Sequence, residues 1–159
     1  MSVAFVGLGA NLDDPQRQLA LAFDELARLP HTALLKRSSL YRSAPLGYAS
    51  QPDFVNAAAK LETALEPVRL LEALLAIEAR HGRTRSFPNA PRTLDLDLLL
   101  YADRMQDTAA LTLPHPRMHE RAFVLKPLLE LEPGLSIPGR GTASALLAAC
   151  KDQAVERLA

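Results

Sequence analysis

The sequence predicts an α+β domain, and three observations support this class. Short apolar runs rich in β-forming residues alternate with longer segments in which apolar residues recur at helical spacing. These segments follow one another in the order β-α-β-β-α-β. Because no internal repeat, low-complexity tract or linker separates them, we expect residues 1–159 to form a single domain.

The first strand and helix are bounded by glycine and proline. Residues 3–8 form an apolar run that predicts a buried strand, and we interpret Gly7 and Gly9 as a tight turn that ends it. A helix then begins at Pro15, with Asp13 or Asp14 as its cap. Its apolar residues recur at helical spacing until the chain approaches Pro30.

The remaining elements follow from the same patterns. Pro67 begins a second helix, and Gly82 is placed to end it. The predicted strands cover residues 34–43, 54–65 and 94–101, and the C-terminal elements are an extended segment at 113–116 and helices near 124–131 and 143–150. This order is the split β-α-β arrangement of ferredoxin-like folds, in which both helices pack on one face of an antiparallel sheet, here with extra C-terminal elements.

Two carboxylates stand two residues apart in the apolar run of the last predicted strand. Because side chains alternate along a strand, Asp95 and Asp97 share one face, with α-carbons on the order of 6.5 Å apart. Carboxylates at this separation could hold a pair of divalent cations, which lie about 3.5–4 Å apart in phosphoryl-transfer sites. The alternative is a pair of acids on the solvated face of an edge strand, where charge opposes aggregation.

A basic segment precedes this strand. From residue 80 to residue 92 there are four arginines, one histidine and no acid. Arg83, Arg85 and Arg92 could be ordinary surface residues, but the loop also contains Gly82 and two prolines. The forked donors of arginine suit phosphate oxygens, and the two nearby acids could hold the cations that accompany them. We therefore expect a nucleotide triphosphate as a ligand.

Two further groups of residues are candidates for ligand contacts. His115 lies between two prolines, which hold its backbone extended, and could donate a hydrogen bond to phosphate. Phe54 and Asn56 share one predicted strand face and suit a flat heteroaromatic ring, with Phe123 as a second stacking partner. The alternative roles are a turn histidine and ordinary core packing.

Composition limits the class of function. The 18 basic and 18 acidic residues give a formal net charge of zero, which argues against nucleic acid as a partner. No Gly-x4-Gly-Lys-Ser/Thr motif is present, so a P-loop is excluded. Cys150 is the only cysteine, and no apolar run predicts a signal peptide or a membrane span. We therefore expect a cytoplasmic protein without a membrane partner.

A series of motifs runs through essentially the whole chain. They are VGLGANL at 6–12, SLYR at 39–42, QPDFVNA at 51–57, APRTLDLDLL at 90–99, LPHPRM at 113–118 and ERAFVL at 120–125. In this order they resemble the motifs of the 6-hydroxymethyl-7,8-dihydropterin pyrophosphokinase family of folate biosynthesis. The resemblance implies a ferredoxin-like fold and transfer of pyrophosphate from ATP to the hydroxymethyl oxygen of the pterin, with release of AMP.

The resemblance also implies roles for individual residues. Asp95 and Asp97 would hold two Mg²⁺ ions, and Arg83 and Arg92 would act with them in catalysis. The positions implied in ATP binding are Glu78, Arg85, Leu98, Thr112, His115 and Arg121. Those implied in pterin binding are Ser43, Ala44, Leu46, Phe54, Asn56 and Phe123. With these two small molecules as its partners, we expect the chain to act as a monomer.

Other interpretations of the same residues stay open. A nucleotidyltransferase or nuclease would use the two acids without a pterin pocket, and a non-catalytic module would bind a ligand without turnover. The general base is also open, because Asp95 or Asp97 could take the proton of the alcohol, or a bound metal could lower the pKa of that alcohol.

Overall fold

The computed structural model describes residues 1–44, 52–82 and 94–158. In chain order its strands and helices are β1 (Ser2–Ala10), α1 (Pro15–Ala27), β2 (Thr32–Arg37), β3 (Tyr41–Ser43), β4 (Phe54–Thr63), α2 (Pro67–Arg80), β5 (Asp95–Tyr101), β6 (Gln106–Asp107), β7 (Thr112–Leu113), α3 (Ala122–Leu131), β8 (Ser136–Ile137), β9 (Gly141–Thr142), α4 (Ala143–Ala148) and β10 (Val155–Arg157). A 3-10 turn at Met118–Glu120 precedes α3.

The predicted antiparallel sheet is confirmed. Its strands lie in the order β10-β3-β4-β1-β5, and β2 pairs with the same edge of β4 as β3 does. The strand predicted over 34–43 is therefore two strands. Ser38 bridges the break between them, because its N–H donates to the Ala58 carbonyl (2.9 Å) and its hydroxyl accepts from the Ala58 N–H (2.8 Å). With β2 and β3 counted as one strand, the order is that of a ferredoxin-like fold.

The two faces of the sheet carry different layers. The helices α1 and α2 bury their apolar stripes on one face, against the side chains of Ala4, Val6 and Leu8 from β1. On the other face, α3 and the segment after it pack on Phe5, Leu99 and neighbouring residues. The expectation that α1 and α2 share one face is confirmed, and α3 with the elements that follow it, apart from β10, forms the third layer.

The interpretation of Gly7 and Gly9 as a turn is wrong. Both lie inside β1, where Gly7 pairs with Ala58 and Asp97, and Gly9 with Asn56 and Asp95. Since β1 is hydrogen-bonded on both edges, the two ladders hold these glycines extended as far as Ala10. The turn begins only afterwards, at Asp13 and Asp14, which have positive φ values of 53° and 59°.

The start of α1 differs from the prediction in one detail. Asp14 is the residue at the cap position, but its side chain makes no capping hydrogen bond, and Pro15 follows it in the first turn. The end of α2 is as predicted, because the helix ends at Arg80 and Gly82 has a φ of 76°. Within the described ranges, no helix has the length and apolar character that a membrane span requires.

Candidate active site

A cavity of about 320 Å³ opens on the face of the sheet that also carries α3. Gly7 and Gly9 form its floor, because β1 runs through the middle of the sheet and presents no side chain at these two positions. The neighbouring strands β5 and β4 supply opposite walls. Two strand spacings separate these walls, which places them about 10 Å apart at the level of the backbone.

The β5 wall carries the two carboxylates. Asp95 and Asp97 both line the cavity, opposite Gly9 and Gly7 respectively, as strand alternation predicts. The alternate residues Leu94 and Leu96 are buried in the core on the other face of the sheet. This burial fixes the register of β5, since a slip by one residue would place both carboxylates in the apolar core.

The β4 wall combines an aromatic ring with an amide. Phe54 and Asn56 line the cavity from alternate positions of β4, and Ser43 on β3 lies beside them. The Ser43 hydroxyl donates to Asn56 Oδ1 at 2.6 Å, which orients the amide. Asn56 is only 5% exposed, so its Nδ2 group is a fixed donor at the cavity wall rather than a mobile surface group.

His115 forms the rim next to the carboxylates as a neutral donor. Burial, followed by the positive charge of Arg121, lowers the pKa of His115 to about 4, although Asp95 acts in the opposite direction. The Arg117 N–H donates to His115 Nδ1 at 3.2 Å. A neutral imidazole that accepts at Nδ1 carries its proton on Nε2, and this proton is available to a ligand oxygen.

The beginning of α3 completes the rim. Arg121 stands at the position before the helix and Phe123 in its first turn, and both line the cavity. The Arg121 guanidinium lies 5.6 Å from the centre of the Phe123 ring, at cation–π distance. Ala44 also lines the cavity, so the structure brings together Ser43, Ala44, Phe54, Asn56, Asp95, Asp97, His115, Arg121 and Phe123.

Three residues with an implied ATP role lie outside this cavity. Glu78 is 3% exposed, and its carboxylate accepts a hydrogen bond from the Leu96 N–H at 2.6 Å. Leu98 is buried in the core on the opposite face of the sheet from the carboxylates. The Thr112 hydroxyl donates to Asp107 at 3.1 Å in the hairpin formed by β6 and β7. Nucleotide contacts by these three residues stay predictions.

The other implied residues cannot be placed. Arg83, Arg85, Arg92 and Leu46 lie outside the described residues. Their roles in catalysis, ATP binding and pterin binding therefore stay predictions from the resemblance.

Sequence reasoning missed several residues that build the site. Gly7 and Gly9 form the floor, and the signal was their spacing of two residues, the same spacing as the two aspartates that they face. Arg117 lines the cavity and directs the His115 ring. Asn11 is 2% exposed and its Nδ2 donates to the Pro52 carbonyl (3.1 Å), which fixes the start of β4. No local pattern marks these last two contacts.

The carboxylate pair suits magnesium. No cluster of three or more histidine, cysteine or acidic side chains that could hold a metal occurs within residues 1–44, 52–82 and 94–158. Mg²⁺ does not need one, because it is commonly held by one or two carboxylates together with substrate phosphates and water. Two aspartates at a cavity that is open to a polyphosphate meet this requirement.

Comparisons with known proteins agree with the resemblance seen in the sequence. Residues 5–133 match the model of the 7,8-dihydro-6-hydroxymethylpterin-pyrophosphokinase (HPPK) family. The chain is 49% identical over 154 residues to the 2-amino-4-hydroxy-6-hydroxymethyldihydropteridine pyrophosphokinase of Pseudomonas aeruginosa, covering 97% of this chain and 95% of that protein. It is 46% identical over 138 residues to the protein of the same name from Haemophilus influenzae, covering 87% and 86%.

Solved structures show the same fold. The wild-type HPPK-DHPS of Plasmodium falciparum with SDX-DHP superimposes with a TM-score of 0.67 at 14% identity, over 94% of this chain. This chain spans 43% of that longer protein. The fold, the family model and the two bacterial relatives lead to one conclusion: this chain belongs to the 7,8-dihydro-6-hydroxymethylpterin-pyrophosphokinase family.

Proposed function

We propose that the cavity between β4 and β5 is the place where this chain transfers pyrophosphate from ATP to the hydroxymethyl group of 6-hydroxymethyl-7,8-dihydropterin. Membership of the family makes the chain an ATP-dependent enzyme of folate biosynthesis. The observation that supports this location is the pairing of two carboxylates with an aromatic–amide wall across the glycine floor of β1.

The β5 side of the cavity suits the phosphates of ATP. Asp95 and Asp97 would hold two Mg²⁺ ions, which would neutralise the charge that builds up on the leaving AMP. His115 would donate from Nε2 to a phosphate oxygen, since its Nδ1 is occupied by the Arg117 N–H. Arg121 would add a forked, permanently charged donor at the start of α3.

The β4 side suits the pterin. Phe54 and Phe123 would contact the faces of the flat ring, and the Asn56 amide would read its polar edge. With the ring against β4, the hydroxymethyl group points across the glycine floor towards β5. Gly7 and Gly9 contribute by presenting no side chain on this path, and a methyl group at Gly9 would lie 3.1 Å from Asn56 Nδ2.

The reaction that follows is an in-line displacement at phosphorus. The hydroxymethyl oxygen bonds to the β-phosphorus, its proton is lost, and the bond from that phosphorus to the α-phosphate oxygen breaks to release AMP. Asp95 or Asp97, which line the β5 wall of the cavity, would accept this proton, or a bound metal would lower the pKa of the alcohol. Arg83 and Arg92 are the further residues for which the resemblance implies a catalytic role.

We also propose that the chain acts as a monomer in the cytoplasm. In support, both walls, the floor and the rim of the cavity come from a single chain. The only cysteine is unpaired and buried, which suits a reducing compartment.

Replacement of one carboxylate tests the proposal. Asp97→Asn keeps the shape of the side chain and should lower turnover by at least about 10³-fold, because it removes an oxygen ligand on which the charge stabilisation depends. The matched control is Asp103→Asn, an exposed aspartate in the turn after β5, which should leave turnover unchanged.

The products identify the reaction. The expected products are AMP and the pterin diphosphate in equal amounts, measured by chromatography with Mg²⁺ present. Release of free pyrophosphate would instead indicate a nucleotidyltransferase. Near-normal turnover by Asp97→Asn would contradict the role proposed for β5.

A further inference from the structure

We propose that Arg140 and Gln153 are positioning residues for the reaction. Both belong to the C-terminal segment (residues 132–158), and both hydrogen-bond to the main chain of the rim segment (residues 115–122), which carries His115 and Arg121. This inference rests on the proposed function, in which the side chains of His115 and Arg121 contact the phosphates of ATP.

Gln153 holds the chain on both sides of Arg121. Its Nε2 donates to the Glu120 carbonyl at 2.8 Å, and its Oε1 accepts from the Ala122 N–H at 2.9 Å. One planar amide therefore contacts the residue before Arg121 and the residue after it. Because both contacts are to the main chain, they fix the direction in which the Arg121 side chain leaves the backbone.

The start of α3 needs this contact. Arg121 occupies the cap position of the helix and makes no capping hydrogen bond with its own side chain. The first N–H groups of a helix have no partner within it, so an outside acceptor is required. Gln153 supplies this acceptor from 31 residues further along the chain. The Arg121 side chain lines the cavity.

Arg140 holds the other end of the rim segment. Its Nη1 donates to the His115 carbonyl at 2.7 Å, while the His115 N–H donates to the Leu99 carbonyl of β5 at 2.9 Å. The main chain at His115 is thus fixed on one side by β5 and on the other by the turn between β8 and β9. The resulting backbone position places His115 in the lining of the cavity, together with the two carboxylates and Arg117.

Neither residue is placed to contact substrate itself. Among the described residues that line the catalytic cavity, neither Arg140 nor Gln153 is included. Gln153 lines a separate cavity beside α4, and Arg140 lines one beside the hairpin of β6 and β7. Their contribution is therefore made through His115 and Arg121, and it should appear as nucleotide affinity.

Two single variants test the inference. Gln153→Met and Arg140→Met keep the length and most of the volume of each side chain but remove its hydrogen bonds. The matched controls are Gln16→Met, on an exposed position of α1, and Arg104→Met, a partly exposed arginine after β5. The probe is the Mg²⁺ complex of a non-hydrolysable ATP analogue, titrated by calorimetry at 25 °C, with KM for ATP and kcat measured in parallel.

Each test variant should weaken binding of the analogue by about three- to tenfold, because Arg140→Met removes one hydrogen bond to the rim segment and Gln153→Met removes two. KM for ATP should rise in the same proportion, and the controls should match the parent chain. The conservative variant Arg140→Lys should recover part of the loss at its position, because the lysine keeps a donor for the His115 carbonyl.

Thermal melting separates positioning from simple stability. If the test variants melt at a lower temperature but bind the analogue and use ATP as the parent chain does, the two residues are only structural and the inference is wrong. Unchanged values in every measurement would also overturn it. A parent chain that neither binds the analogue nor forms AMP would contradict the proposed function instead.

Discussion

The amide of Asn56 faces the cavity with its nitrogen, because its oxygen accepts a hydrogen bond from Ser43. The hydroxyl of Ser43 donates to Oδ1, and this leaves the two hydrogens of Nδ2 for a ligand. A buried amide that is fixed in this way can distinguish a ring edge with acceptors from one without them. A ligand that gives this buried Nδ2 donor no acceptor would bind less favourably by about 1–3 kcal/mol.

Asn56→Ala should therefore weaken pterin binding by roughly 10- to 100-fold. Ser43→Ala should have a smaller effect in the same direction, since the amide stays but loses its orientation. The affinity for an ATP analogue should change by less than about threefold in both variants, because Asn56 lies about 10 Å from β5. Equal losses for pterin and nucleotide, measured by calorimetry, would contradict the assignment of β4 to the pterin.

Glu78 connects the last turn of α2 to β5. Its carboxylate is 3% exposed and accepts the Leu96 N–H at 2.6 Å, on the last turn of α2. Glu78→Ala removes this acceptor from a buried main-chain donor, so the free energy of unfolding in urea should fall by about 1–3 kcal/mol. The control Glu72→Ala, on an exposed position of the same helix, should cost no more than about 0.5 kcal/mol.

The same variant tests the nucleotide role that the resemblance implies for Glu78. If that role is direct, Glu78→Ala should also weaken binding of an ATP analogue at temperatures well below its melting point. Normal affinity for the ATP analogue together with reduced stability would show that Glu78 acts only by connecting α2 to β5.

The strand β1 lies between the two walls of the cavity, so its residues determine how much space separates them. A methyl group added at Gly9 would lie 3.1 Å from Asn56 Nδ2, whereas one added at Gly7 would lie 3.3 Å from the terminal methyl of Leu99. Neither glycine has a positive φ, so the two substitutions differ in what they touch rather than in backbone strain. The amide is held by Ser43, but the methyl group of Leu99 can move.

Gly9→Ala should therefore weaken pterin binding more than Gly7→Ala does, by about threefold to tenfold in affinity. Both variants should fold, because each adds a single methyl group at the surface of a cavity. Calorimetry with the pterin alone makes the comparison without ATP. A larger loss in Gly7→Ala would show that the floor, and not the position of Asn56, limits pterin binding.

The sequence predicts these elements only as far as its local patterns extend. Period-two alternation places Asp95 with Asp97 and Phe54 with Asn56 on common faces, and both pairs line the cavity. The break at Ser38 depends on pairing with Ala58 on another strand, so no local signal marks it. The prediction of a turn at Gly7 and Gly9 is wrong because two nearby glycines are typical of a turn, and only their pairing with both β4 and β5 keeps them in a strand.

The helices α3 and α4 lie where the sequence predicts them, but the long-range contacts of the C-terminal part of the chain could not be predicted. The strand β10 pairs with β3, more than a hundred residues earlier in the chain, and Gln153 and Arg140 reach the rim segment from the C-terminal segment. Such contacts follow from the packing of the third layer on the sheet and not from periodicity. Glu130 on α3 is an example, because it accepts hydrogen bonds from Ser39 and Tyr41, which follow the break between β2 and β3.

The response of the whole fold to acid should depend on His115. The pKa of His115 is lowered from 6.5 to about 4, mainly by burial, so the unfolded chain binds this proton more readily than the folded chain does. The contribution of His115 to folding stability therefore falls as the pH drops from about 6.5 towards 4. Hydrogen bonds from Tyr41 and Ser39 lower the pKa of Glu130 despite its burial, so that carboxylate weakens the fold only below its ordinary value of 4.5.

Urea unfolding at pH 7 and pH 5 measures this effect. The ligand-free parent chain should lose up to about 2 kcal/mol from His115 between these two values. His115→Gln keeps a donor but cannot be protonated, so its loss should be smaller by that amount. The control His31→Asn removes an exposed histidine at a φ of 54°, which asparagine tolerates, and should follow the parent chain. If His115→Gln loses as much stability as the parent chain, the imidazole is not held neutral by burial, and its assignment as a neutral Nε2 donor to phosphate is wrong.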